Sequence, residues 1–152
     1  MLGPIMMMRP SKRDAKEAEL RLKALSHGLK VTMERHPDTD NTDMYAVYYL
    51  SWPSQIMKAY SDQLDWSITL NGFEHGIHFH KRWDWVEGRE APAAWSQAIK
   101  SCLDSLSKDE VALSSSRAGL AIYWNESLRG RTTDEAVHHI SELLKALSKE
   151  CR

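Results

Sequence analysis

The sequence predicts a single α+β domain: a mostly antiparallel sheet of about five strands with helices packed on one face, in the order α-β-β-α-β-β-α-β-α. Three observations carry that class. Runs that alternate apolar and polar residues lie between runs whose apolar residues recur at helical spacing. Asn71-Gly72 stands between two alternating runs, the strongest local mark of a two-residue β-hairpin. Across that hairpin the side chains separate into an apolar and a polar set, as in an antiparallel sheet with one packed side.

The first helix opens at Ser11 with Asp14 three residues on, a variant of the capping box, and closes before Gly28. Ala15, Ala18, Leu22 and Leu25 recur along it as its apolar stripe, and Lys12, Arg13, Lys16, Arg21 and Lys23 supply charge. Leu29 to Arg35 alternates and reads as a strand. Met44 to Leu50 is a second strand, rich in tyrosine. The acidic loop between them, His36 to Asp43, starts like a calcium-binding loop. It has Asp43 where such loops need glycine and Tyr49 where they need a bidentate glutamate, which excludes that reading. Pro53 starts a short helix carrying Ile56, Met57, Tyr60 and Leu64.

In the hairpin, Trp66 to Leu70 is expected to pair with Phe73 to His80, placing Ile68 opposite His75, Trp66 opposite Ile77 and Asp65 opposite His78. Its apolar face runs through Trp66, Ile68, Leu70, Phe73, His75, Ile77 and Phe79, and reaches Trp83 and Trp85 if the strand continues. Beyond Gly88 and Pro92, the residues Trp95, Ile99, Cys102, Leu103 and Leu106 mark a helix. Ser114-Ser115-Ser116 reads as loop, and Ala118 to Trp124 as a strand. Thr132 with Glu135 caps a last helix built on Ala136, Val137, Ile140, Leu143, Leu144 and Leu147.

A chain of 152 residues, 42% hydrophobic and 27% charged, is long enough for one core without disulfide or metal. The domain is expected to span 11–152, with residues 1–10 disordered or loosely attached. The start of translation is open among Met1, Met6, Met7 and Met8. No apolar run approaches the roughly 18 residues of a membrane span. Two cysteines without metal spacing, Cys102 read as buried and Cys151 as frayed, together with the lack of a secretory signal, point to the cytoplasm. Net charge is −1, yet residues 9–35 carry eight basic against four acidic side chains, and residues 36–66 carry five aspartates against one lysine.

Four sets of residues are candidates for function. His78 and His80 share a strand face with Asp65 and Glu74, so a divalent metal is one expectation. A proton-transfer pair of His78 with Asp65 is another. The spacing from Gly72 to His78-Phe79-His80 matches the start of a cupin metal motif, but Asp84 or Trp85 stands where glutamate is needed and no second motif follows. No phosphate-binding glycine run and no nucleophile elbow is present. Trp83 and Trp85 with Lys81, Arg82 and Arg89 have the composition of a protein-contact hot spot. The basic first helix is the candidate for nucleic acid. The favoured reading is a small intracellular binding or regulatory protein acting by protein contact, an inhibitor or antagonist of phage or mobile-element type, with no cofactor. A metal- or histidine-dependent enzyme and a nucleic-acid binder are the alternatives.

Overall fold

The computed structural model describes residues 11–70, 77–86 and 89–152. Residues 1–10, residues 71–76, on which the expected Asn71-Gly72 turn falls, and Glu87-Gly88 lie outside them. The described elements are α1 (Lys12–Ser26), β1 (Lys30–Arg35), β2 (Met44–Leu50), α2 (Ser54–Ala59), β3 (Trp66–Leu70), β4 (Ile77–His80), β5 (Trp83–Trp85), a 3₁₀ turn (Ala93–Trp95), α3 (Ser96–Asp104), β6 (Glu110–Ser116), β7 (Gly119–Trp124) and α4 (Thr133–Glu150).

The seven described strands join one antiparallel sheet in the order β1-β2-β7-β6-β3-β5-β4. One row crosses every strand: Val31, Tyr48, Ile122, Leu113, Ile68, Trp85 and Ile77 stand side by side. Opposite residues in antiparallel strands share a face, so this row marks the side on which the helices lie. The main core joins it to Leu20 and Ala24 of α1, Ile56 of α2, Ile99 and Leu103 of α3, and Ala136, Ile140 and Leu144 of α4. The other face holds a smaller cluster of Val47, Ala112, Ala121 and Tyr123, flanked by Tyr45, Tyr49 and Val111. The α+β class and the helices on one face are as expected.

The strand inventory departs from the sequence reading in two places. The run 77–85 is not one strand. It reverses at Lys81-Arg82, where Lys81 takes a left-handed φ of 51°, and β5 returns between β4 and β3. Ile68 therefore faces Trp85 rather than His75, Ile77 faces Trp85 rather than Trp66, and His78 faces Asp84 rather than Asp65. The serine run is also a strand, not a loop: β6 lies mid-sheet, with Ser115 accepting a 3.0 Å hydrogen bond from the indole of Trp52. Satisfied hydroxyls can line a buried strand at little cost.

Two helical details also differ. Ser11 forms the expected reciprocal cap with Asp14, but α1 is turned half round. Leu20 and Ala24 are buried, whereas Ala15, Ala18, Leu22 and Leu25 face solvent. Cys151 is buried rather than frayed, because the last turn of α4 folds it under the main core. Burial pushes the thiols of Cys102 and Cys151 up to about 12.

Candidate functional site

The residues singled out by sequence are dispersed. Trp83 and Trp85 are 5% and 4% exposed, and Trp85 packs edge-on against Trp66 and beside Phe79. They are core residues: the register of β5 on β3 sets Trp85 opposite Ile68 in the helix-side row, and both tryptophans belong to the main core. Lys81 donates to Asp104 at 2.8 Å, Arg82 is exposed, and Arg89 pairs with Asp65 at 2.5 Å. A single aromatic and cationic surface is therefore not assembled.

The histidines also diverge. The Nε2 of His80 meets Asp104 at 2.9 Å, while that of His78 meets the carbonyl of Lys81 at 2.9 Å. Asp65 is held by Arg89, and Glu74 lies outside the described residues. Among the described residues, no three His, Cys, Asp or Glu side chains converge as a metal would need. Much of the basic face of α1 is bound within the chain. Arg13 pairs with Glu17, Lys16 donates to the carbonyl of Glu126, and Arg21 pairs with the Glu126 carboxylate, which also accepts from Tyr48 at 2.7 Å. Glu126 has a left-handed φ of 64° and is buried, so these contacts fix the chain end of β7. A second buried carboxylate, Asp109, accepts two hydrogen bonds from Arg129 at 2.7 and 3.1 Å and one from Asn125. The guanidinium holds Asp109 below its ordinary value. Both carboxylates are saturated by partners and brace the loop after β7.

The feature that the sequence reading missed is at the first edge of the sheet. α1 leads through Gly28 into β1, which pairs only with β2 and leaves its outer side unpaired among the described residues. Five large apolar side chains are exposed among those residues, and four of them, Leu22, Leu25, Met33 and Met44, belong to α1, β1 and β2. Arg21 reaches the Sδ of Met33 at 3.7 Å, which ties the flank of α1 to β1. On the opposite flank α4 packs, with Thr133 donating to Glu19 at 2.6 Å and His27 meeting Asp134 at 3.4 Å. Leu25 lies about 40° round the helix from Arg21, on the β1 flank, and Leu22 about 100° round, pointing outward opposite the buried Leu20 and Ala24.

The two edges of the sheet differ. β4 is four residues long and is broken by a bulge between His78 and His80, a common guard against pairing with other chains. β1 pairs regularly with β2 over six residues, with no bulge and no proline. Its carboxylate Glu34 is fixed by Tyr49 and Thr32, whose hydroxyls both donate to Oε2, at 2.7 and 2.5 Å. Burial and then this bond to Glu34 push the Tyr49 phenol up, so it stays a donor at all ordinary pH. The acidic loop beyond β1 is pinned by its own backbone: His36 N–H donates to the Asp43 carbonyl at 3.1 Å, and Asp38 and Asn41 side chains accept from residues two further on. The edge is thus rigid, apolar on the helix side and charged on the other.

Comparison of the chain with protein-family models, curated proteins and solved structures gives no match.

Proposed function

We propose that the chain is a small intracellular binding protein that acts by protein–protein contact, and that the edge formed by α1 and β1 is its contact surface. One observation carries the reading. The apolar stripe of α1, Ala15, Ala18, Leu22 and Leu25, has the spacing of a core-facing helix and yet faces solvent beside an uncovered strand. A helix that buries Leu20 and Ala24 on one side and offers leucines on the other is amphipathic for two partners. An edge strand adds a row of backbone donors and acceptors, which another chain can pair with. Two buried free thiols suit a reducing interior. Occupying a partner's surface in this way is how an inhibitor or antagonist acts.

Affinity capture from the native host tests the assignment. A protein retained by the wild-type chain should be lost with Leu22→Ser/Leu25→Ser and kept with Lys12→Glu/Arg13→Glu. A partner that survives the serine variant, or one lost only on charge reversal together with bound nucleic acid, overturns it.

A further inference from the structure

We infer that the occupant of this edge is a second copy of the same chain, paired antiparallel through β1 about a two-fold axis at Thr32. The inference rests on reading the edge as a protein-contact surface, and adds the identity of the partner.

The hydrogen-bond alternation of the edge follows from one contact. Because His36 N–H donates to the Asp43 carbonyl, His36, Glu34, Thr32 and Lys30 point their backbone groups at β2. Val31, Met33 and Arg35 therefore turn theirs outward. A two-fold axis at Thr32 sets Val31 of one copy opposite Met33 of the other. Each such pair exchanges two backbone hydrogen bonds, and the symmetry makes two pairs.

The same register sorts the side chains. Val31 and Met33 meet on the helix side, apolar against apolar. Lys30 meets Glu34 of the second copy on the other side, once in each direction, in the closer non-hydrogen-bonded positions. The Glu34 carboxylate is already oriented for this, since both of its hydrogen bonds fall on Oε2 and Oε1 carries none among the described residues. Thr32 meets its own copy on the axis. Farther out, the antiparallel direction lays the acidic loop with Asp38 and Asp40 toward the end of α1 that carries Lys23, positive against negative on both sides of the axis. Above the joined strands, the Ala18 and Leu25 sides of the two α1 helices face one another, and the sheet continues through fourteen strands with all helices on one face. A closed two-fold contact of this kind uses the β1 edge and leaves the bulged β4 edge unpaired.

Light scattering coupled to gel filtration, over about a hundredfold range of concentration, tests the pairing. The wild-type chain should elute at twice 17.4 kDa at the upper end and dissociate on dilution. Met33→Pro removes an outward donor without touching the ladder to β2, and should yield a monomer with an unchanged circular dichroism spectrum. Lys30→Glu and Glu34→Lys should each be monomeric alone, by like-charge repulsion across the axis, and should form a heterodimer when mixed. A misfolded variant would not be rescued by mixing. A wild-type monomer throughout, a dimer indifferent to Met33→Pro, or charge variants that fail to rescue one another overturns the inference. In the first of these cases, loss of a host protein by the Leu22→Ser/Leu25→Ser variant still upholds the contact surface itself, so the two failures are separable.

Discussion

Trp85→Ala separates the molecule described here from the one its composition suggests. Trp85 sits at 4% exposure, with its ring centre 5.8 Å from Trp66 in an edge-on arrangement and 4.8 Å from Phe79. Burying roughly 200 Å² of aromatic surface at about 25 cal/mol per Å² corresponds to ~5 kcal/mol. Large-to-small substitutions of buried Phe or Trp cost about 3–5 kcal/mol. Domains of this kind have total stabilities of about 5–15 kcal/mol. The variant should therefore lose about a fifth or more of its stability, read as a fall in the urea midpoint with an unchanged slope. Trp85 stands in the row that crosses the whole sheet and belongs to the main core, so the loss should be global rather than local. A loss below about 1 kcal/mol, as for exposed positions, would refute the burial and return Trp83 and Trp85 to the surface.

Three further outcomes follow from local geometry. Gly119 opens β7 at a φ of 133°, and a Cβ there would run into the carbonyl of Leu50, so Gly119→Ala should cost more than about 2 kcal/mol in urea unfolding. Burial lowers the pKa of His36 in spite of Asp38 and Asp43. The unfolded chain then binds that proton more readily, so the contribution of neutral His36 is complete above about pH 6.5 and declines as pH falls through the lowered folded value. His36→Gln should flatten that part of the stability profile, and a profile identical to wild type would contradict the burial. With both thiols pushed up to about 12, the native protein at pH 8 should react slowly with an aromatic disulfide reagent, and both cysteines should react at once in denaturant. One fast thiol in the native state would mean that Cys151 frays.

The legible part of the fold is the part whose signals are local. Ser11 with Asp14, Thr132 with Glu135, and the tyrosine-rich run Met44 to Leu50 each declare an element through signals within a few residues, and each element is present. What escaped depends on tertiary pairing. The reversal at Lys81-Arg82 uses a left-handed lysine where sequence reasoning looks for glycine or asparagine, so β5 was hidden inside an apparent continuous strand. The serines of β6 resemble a loop until Trp52 and the neighbouring strands supply their partners.

The site was hidden by a related ambiguity. α1 has apolar residues on two sides, and spacing alone selects the longer stripe, Ala15 to Leu25, as the buried one. The bond network of Arg21 and Lys16 with Glu126, more than a hundred residues away, turns the other side to the sheet. An alternative signal was present in Leu20, Ala24 and Leu29, which continue one line from helix into strand, but only the long-range contacts decide between the two. The split of charge between residues 9–35 and 36–66 was visible from the start. Its use, with opposite signs at the two ends of one edge strand, required the register.

The most direct test of the contact surface is methionine oxidation by dilute peroxide, followed by mass spectrometry of the isolated and the assembled chain. Met33 and Met44 are 53% and 52% exposed at the proposed edge and should oxidise readily in the isolated protein. In the assembled state Met33 should be protected several-fold and Met44 at least partly, while hydroxyl-radical labelling of Ile77, 52% exposed on the opposite edge, stays unchanged. Equal oxidation of Met33 in both states, or protection that appears at Ile77 instead, would contradict the assignment of the α1–β1 edge.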